Sequence, residues 1–274
     1  MTKLRITVVL LALVGALNSW SQGFGNRELI NADWYFNLGD IKYGGSEYFD
    51  HSEWRKLELP HDWSVEAVAS PELASCTGYL PGGIGWYRKD LDIPKVQNGN
   101  KVYIYFEGIY NNSEVFINGK WIGKRPNGYV SFMYELTPYL KFGGRNVLAV
   151  RVDHSQDADS RWYTGSGIYR DVYLVYANPV HIRLWGVSYS AKVNKKNAVL
   201  SVQTEVDNTG KLPVAVKVLH EVFDRDGKKV GAGSLDYSLR AGEMVKKELA
   251  VSIVQPKLWS LEDPYLYTIR TTLS

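Results

Sequence analysis

Short runs of alternating apolar and polar residues fill the chain from residue 34 to residue 176, separated by Gly, Pro, Asn and Asp. This pattern is typical of strands rather than helices. Val102–Phe106 and Val147–Val152 are strongly β-prone, and Asn118-Gly119 predicts a two-residue hairpin. Because many strands without intervening helices must bury one face against another sheet, the pattern predicts a two-layer antiparallel sandwich. The only helical element we expect is a short turn near Leu136–Tyr139.

A second β region begins after the linker-like Ala177-Asn178-Pro179. Val199–Val206 alternates, and Asp226-Gly227 predicts a hairpin between Val214–Phe223 and the next strand. About seven strands in a region of this size indicate an immunoglobulin-like sandwich, without the paired cysteines of antibody domains. In the loop before the last strand, we expect Trp259 to plug one end of this sandwich.

The amino terminus has the pattern of a secretory signal peptide. Lys3 and Arg5 precede an uncharged apolar run over residues 6–17, and small residues follow at Ser19 and Ser21. The run is too short to span a bilayer. We therefore divide the chain into a signal peptide at 1–21 and β domains at 22–178 and 179–274, and expect a protein exported to the periplasm or the extracellular space.

Charge and cysteine content exclude several classes of function. Lys3 and Arg5 account for two of the 32 basic residues, which leaves 30 against 29 acidic residues in the mature chain. A nearly neutral protein lacks the electrostatic basis for binding nucleic acid. Cys76 is the only cysteine, so no intrachain disulfide can form. No later apolar stretch reaches membrane-spanning length, so we expect no membrane partner after signal cleavage.

The stretch from Asp159 to Val172 is the first candidate site. Arg161, Trp162 and Tyr163 stand side by side ahead of two glycines, which predicts a turn-forming loop that runs into a strand. Aromatic rings can cover the apolar faces of a pyranose by dispersion, and a charged group can hydrogen-bond its hydroxyls. The alternative is structural, with both rings anchoring the loop to the core and Arg161 on the surface.

Leu59–Glu66 is the second candidate site, because Pro60 fixes the backbone ahead of a charged and aromatic cluster. Asp62 could accept hydrogen bonds from hydroxyls with Trp63 as a wall, or it could form a turn with Trp63 in the core. His61 and Asp62 do not form a catalytic pair, since adjacent residues of an extended chain point apart. The chain also lacks a Gly-x-Ser-x-Gly elbow.

Nothing in the sequence indicates a metal or a cofactor. The five histidines show no close ligand spacing. Asp153, Asp157 and Asp159 could hold a hard cation through oxygen ligands, although a solvated loop is the favoured interpretation.

Several motifs occur in the order found in glycoside hydrolase family 2, and together they cover nearly the whole mature chain. They are Leu59–Trp63, Gly85–Arg88, Phe106–Gly108, Val115–Gly119, Ser160–Tyr163 with Gly167–Arg170, and Trp259-Ser260 with Pro264–Tyr267. The chain resembles the amino-terminal part of a secreted bacterial β-galactosidase of that family. The resemblance implies a jelly-roll sugar-binding domain, then an immunoglobulin-like sandwich, within an all-β chain.

The resemblance further implies a (β/α)8 barrel with two catalytic glutamates that perform retaining hydrolysis. The family's Asn-Glu acid/base signature is absent from these 274 residues, so no catalytic residue is assigned. The isolated chain is not expected to hydrolyse a glycoside. Its expected partners are a carbohydrate and the barrel of the same enzyme.

By the same resemblance, Asp62 matches a position that binds galactose hydroxyls. Arg161, or alternatively Asp159, supplies the matching contact, and Trp63, Trp162 and Tyr163 support the two loops. Galactoside, glucuronide and mannoside specificities share these motifs. A stand-alone carbohydrate-binding module and a β-sandwich scaffold protein remain as alternatives.

Overall fold

The computed structural model describes residues 24–156, 162–194 and 196–274, and within these ranges the chain is built of antiparallel strands with no α-helix. The predicted all-β class is confirmed. The expected signal peptide lies outside the described residues. Within those ranges, no helix is long and apolar enough to cross a membrane.

In the described ranges, ten strands form the first part of the chain and six form the second. The first ten are β1 Asn26–Leu29, β2 Trp34–Leu38, β3 Arg55–Leu57, β4 Gly83–Asp92, β5 Lys101–Phe106, β6 Ser113–Ile117, β7 Lys120–Arg125, β8 Phe132–Glu135, β9 Arg145–His154 and β10 Val172–Ala177. The last six are β11 Val180–Val193, β12 Asn197–Asn208, β13 Val214–Phe223, β14 Lys229–Leu239, β15 Met244–Val254 and β16 Thr268–Leu273. Short 3-10 turns lie at Ser64–Glu66, Ser75–Thr77, Lys95–Gln97 and Thr137–Tyr139.

The first sandwich packs a four-stranded sheet, β1-β10-β5-β8, against a six-stranded sheet, β3-β2-β4-β9-β6-β7. One apolar cluster fills the space between them, with Trp34, Ile104 and Leu148 fully buried. Strict alternation along β6 places Val115 and Ile117 in this core and Phe116 on the opposite face. The strand periodicity of the sequence therefore sets which face of each sheet is buried.

Two sequence signals for local structure are confirmed. Asn118 and Gly119 have φ values of 48° and 78° and join β6 to β7, as a two-residue hairpin with two left-handed positions requires. The helical turn expected near Leu136–Tyr139 is the 3-10 turn at Thr137–Tyr139.

The second sandwich pairs two three-stranded sheets, β11-β12-β15 and β14-β13-β16. Its described residues form six strands where the pattern predicted about seven. The expectation that Trp259 plugs the sandwich end is wrong, because its side chain is 58% exposed. Tyr265 occupies the buried position at 5% exposure, with the guanidinium of Arg225 4.4 Å from its ring centroid.

The two sandwiches meet at the outer face of the four-stranded sheet. His181 of β11 contacts the rings of Phe24 and Tyr103, with centroids 4.9 and 6.5 Å apart. Phe24 and Val175 are buried in the same cluster, against which Leu184 of β11 packs. The start of β11 therefore covers one outer face of the first sandwich.

Candidate functional site

The two loops that the sequence singled out lie side by side at one end of the first sandwich. The amide of His61 donates to the carbonyl of Ile168 at 2.8 Å. The amide of Trp63 donates to the carbonyl of Ser166 at 3.1 Å. On the other side, Tyr110 and Gly167 exchange backbone hydrogen bonds of 2.9 and 2.8 Å. Segments far apart in the sequence thus form one continuous backbone ladder.

Two glycines make this close approach possible. Gly167 has φ 121°, and a Cβ there would lie 2.3 Å from the Tyr87 hydroxyl. Gly165 has φ 72°, and its Cβ would lie 2.8 Å from Oδ2 of Asp62. A side chain at either position would push the second loop away from the first.

Three donors fix the carboxylate of Asp62. Its Oδ1 accepts hydrogen bonds from the amides of Ser64 at 3.0 Å and Ser166 at 2.8 Å. Its Oδ2 accepts one from the hydroxyl of Tyr163. Because a carboxylate offers about four acceptor positions and the described residues supply three donors, one position remains for a ligand hydroxyl.

Tyr163 acts as a donor to this carboxylate. Burial, followed by the hydrogen bond to Asp62, raises the pKa of Tyr163 well above its ordinary value. The phenol therefore stays protonated at neutral pH and holds Asp62 in one orientation. Sequence reasoning gave Tyr163 only a supporting role, because nothing local shows which residue a loop tyrosine will meet.

The two tryptophans of the site have different environments. Trp63 is 3% exposed, donates from Nε1 to the carbonyl of Gly82 at 3.0 Å and stacks on Phe36, so it supports its loop. Trp162 is 59% exposed, and its Nε1 donates to the hydroxyl of Tyr129 at 2.9 Å. Trp162 therefore offers an exposed aromatic surface next to Tyr163, the residue that contacts Asp62. Arg161 and Asp159, the other predicted contacts, lie outside the described residues.

His61 points away from Asp62, as expected for neighbours in an extended segment. Its Nδ1 lies 2.7 Å from the Tyr87 hydroxyl, and its Nε2 lies 2.9 Å from Arg55 and 3.2 Å from Glu66. Burial lowers the pKa of His61, although the nearby Glu66 opposes this effect. The ring is accordingly neutral at pH 7 and has a structural role.

A buried hydroxyl pair, which the sequence did not reveal, joins the two loops. The hydroxyls of Ser64 and Ser166 lie 2.5 Å apart, and that of Ser166 lies 2.7 Å from Nδ1 of His154. Both serines are at most 1% exposed. Nearby, Asn111 Oδ1 and Thr164 Oγ1 are buried without a hydrogen-bond partner among the described residues. Buried polar atoms of this kind commonly mark positions completed by water or ligand.

The acidic group considered as a cation site is only partly described. Asp153 pairs with Arg151 at 3.1 Å and accepts hydrogen bonds from Ser155, whereas Asp157 and Asp159 lie outside the described residues. Among the described residues, no three His, Cys, Asp or Glu side chains cluster as a metal site.

Comparison with known proteins matches residues 29–274 to one family. The profile of the sugar binding domain of glycosyl hydrolases family 2 covers residues 29–179, and a second profile of that family covers residues 180–274. A β-galactosidase of Bacteroides ovatus is 44% identical over 248 residues, which is 89% of this chain and 29% of that protein. A putative β-glucuronidase of Formosa agariphila is 37% identical over 246 residues, which is 89% of this chain and 23% of that protein.

The fold agrees with these matches. A crystal structure of a β-glycosidase from Bacteroides vulgatus superposes with a TM-score of 0.83 at 42% identity, covering 91% of this chain and 32% of that one. The chain thus spans less than a third of the length of each of these relatives. The paired loops around Asp62 lie within the part of the chain matched by the sugar binding domain, and the chain belongs to family 2 of the glycosyl hydrolases.

Proposed function

We propose that this chain forms one wall of the terminal-sugar subsite in an exported family 2 glycosidase that acts on terminal β-D-galactosides. The observation that carries the proposal is the carboxylate of Asp62, which three donors hold at the junction of two loops with an acceptor position left over. The similarity to a β-galactosidase at 44% identity supports a galactoside, and the similarity to a putative β-glucuronidase at 37% supports a glucuronide less strongly.

Asp62 and Trp162 suit two different parts of a pyranose. The fixed carboxylate accepts hydrogen bonds from ring hydroxyls without first having to be ordered, which reduces the entropic cost of binding. The exposed indole of Trp162 offers an apolar surface for the C–H groups of a sugar face. In this proposal Arg161, or alternatively Asp159, adds a second polar contact from the same loop as Trp162.

Hydrolysis itself is assigned to a (β/α)8 barrel, the partner that the family resemblance implies. Retaining glycosidases need two carboxyl groups about 5 Å apart, one as nucleophile and one as acid/base. We assign neither of these groups to residues of this chain. Its role is to bind and orient the sugar, and the residue 1–21 segment would direct the enzyme out of the cytoplasm.

Saturation-transfer NMR with methyl β-D-galactopyranoside tests the proposal on the whole chain. We expect millimolar binding, because only one wall of the subsite is present. Asp62→Asn removes one acceptor and should weaken binding about tenfold or more, since hydrogen bonds to charged groups contribute about 1.5–3 kcal/mol. Asp226→Asn, on the exposed turn between β13 and β14, is the matched control and should leave binding unchanged.

Other outcomes separate the alternatives. Equal binding by the Asp62→Asn and unaltered chains would contradict the role of Asp62. Saturation transfer to methyl β-D-glucuronide but not to the galactoside would contradict the proposed galactoside substrate. Micromolar affinity by calorimetry would favour a stand-alone carbohydrate-binding module.

A further inference from the structure

A second region of interest is the segment 39–54, which crosses the outer face of the six-stranded sheet between β2 and β3. We call it the strap. Buried Arg88 of β4 holds it through three neutral acceptors: His51 Nδ1 at 3.1 Å, the carbonyl of Gly44, and the carbonyl of Phe49 at 3.4 Å. Leaving any of these buried groups unpaired would be costly, so the strap has one well-defined path.

Two ion pairs also hold the strap, one near its start and one at its middle. Asp40 forms a bidentate pair with Arg151 of β9 at 3.0 Å, and Glu47 pairs with Lys141. Between them, Gly44 lies so close to the ring of Trp86 that a Cβ would be 2.8 Å away. The strap is therefore rigid before any ligand arrives.

The aromatic residues of the strap divide into two sets. Phe49 and Trp54 pack against each other with ring centroids 5.4 Å apart, and His51 is buried. Tyr43 and Tyr48 project outward and are 71% and 91% exposed. A segment whose other rings are buried or half-buried thus presents two tyrosines to solvent.

These tyrosines line a cavity of about 450 Å³ between the strap and the hairpin of β6 and β7. Its other lining residues include Ser46, Glu47, Trp86 and Asn118. Among the described residues of this lining, Glu47 is the charged one. The volume is in the range of small-ligand sites.

This cavity is distinct from the Asp62 site. Asn111 borders the Asp62 loops where the chain enters β6, and Asn118 lines the cavity just beyond the other end of β6. An extended chain between these residues spans roughly 23 Å, at about 3.3 Å per residue. One monosaccharide cannot occupy both places.

We infer that the strap cavity is a second carbohydrate-binding site, for a neutral β-linked glycan, that anchors the protein to polymeric substrate. Flat phenol rings match the apolar faces of pyranose units. Ser46 and Glu47 of the lining supply donor and acceptor groups for hydroxyls at the ring edges. Glu47, the charged residue among those described in the lining, is paired with Lys141, so the lining carries no uncompensated charge and the site favours neutral sugars over uronates.

Affinity electrophoresis of the whole chain tests the site, with gels containing β-1,4-galactan, β-1,4-galactomannan or hydroxyethylcellulose. We expect retardation by at least one of these three neutral glycans. Tyr43→Ala combined with Tyr48→Ala should weaken it about tenfold, because the change removes both rings that would cover the sugar faces. The matched control is Tyr189→Ala, which removes an equally exposed tyrosine, 66% accessible, from β11.

The Asp62→Asn chain separates this site from the subsite proposed above and should be retarded normally. Both tyrosines are exposed, so thermal unfolding of the double variant should match that of the unaltered chain. The inference is overturned if none of the three glycans retards the chain, or if the double variant is retarded as strongly as the control. Loss of retardation in Asp62→Asn alone would also overturn it and would assign the binding to the first site.

Discussion

Two loops, one in each sandwich, place a tryptophan in opposite environments. Trp63 is buried because its loop lies between the Ser166–Ile168 segment and the carbonyl of Gly82. Trp259 lies on a loop held by more local bonds, such as that from the Ser260 amide to the Asp263 carbonyl, and remains 58% exposed. The comparison shows that neighbouring loops, and not the residue type, decide whether an aromatic becomes core.

The same difference extends to the two sandwiches. A single apolar cluster fills the first, and its end loops are joined by buried hydrogen bonds. The second has two smaller clusters, with the polar pair Thr204 and His220 buried in the same domain. Substitutions that disturb loop contacts should therefore lower the free energy of unfolding more in the first sandwich than in the second.

A glycine substitution in each sandwich should give the largest difference in unfolding free energy. Gly167→Ala places a Cβ 2.3 Å from the Tyr87 hydroxyl at φ 121°, and should lower the free energy of unfolding by about 3 kcal/mol. Gly227→Ala in the second sandwich meets open space and should cost about 1 kcal/mol, from its φ of 78° alone. Urea unfolding of each variant measures the difference, and equal costs would refute the contrast between the two sandwiches.

The pH dependence of stability should give a smaller effect. His220 is fully buried, with ring nitrogens 3.1 and 2.9 Å from the hydroxyls of Thr204 and Thr271, and burial lowers its pKa below 6.5. Since folding favours the neutral ring, its contribution to stability is complete above pH 6.5 and is lost as pH falls through the lower folded pKa.

His220→Gln should therefore flatten the decline in the unfolding free energy of the second sandwich between about pH 7 and pH 5. His61→Gln is the counterpart in the first sandwich, where burial also lowers the pKa of the ring. Urea titrations at several pH values measure both slopes. An unchanged slope for His220→Gln would show that this residue does not titrate on unfolding.

Removing the exposed tryptophan should have the smallest effect. Trp259→Ala should change the unfolding free energy by less than about 0.5 kcal/mol, whereas Trp63→Ala should cost about 3 kcal/mol or more. Chemical denaturation of both variants measures the two changes in unfolding free energy. A large cost at Trp259 would indicate that its ring packs against the second sandwich.

Much of the secondary structure followed from local sequence. The hairpin at Asn118-Gly119 depends on residues that tolerate left-handed φ, and the strand at Val214–Phe223 depends on an unbroken β-prone run. The second hairpin formed around Asp226-Gly227, but its loop closes through a hydrogen bond from Asp224 to Lys228 and is longer than two residues. Strand register and bulges depend on partners that a local pattern does not contain.

The candidate site was predictable in outline. The sequence indicated that the Asp62 loop and the loop before β10 carry polar and aromatic groups, and the family resemblance related both to one sugar site. It did not identify Tyr163 as the donor to Asp62, or Ser64, Ser166 and His154 as the buried link between the loops. These residues lie up to about a hundred positions apart, so their contacts arise only when the sheets have formed.

The order of apolar and polar residues was sufficient to specify an all-β chain, because strand periodicity requires only neighbouring residues to alternate. Gly165 and Gly167 were likewise readable as points where the backbone turns. Only the tertiary structure placed Tyr163 on Asp62, left Trp259 in solvent and set two tyrosines beside the strap cavity. Exposure and hydrogen bonding at these positions depend on which distant segments pack together, and that is a property of the assembled sheets.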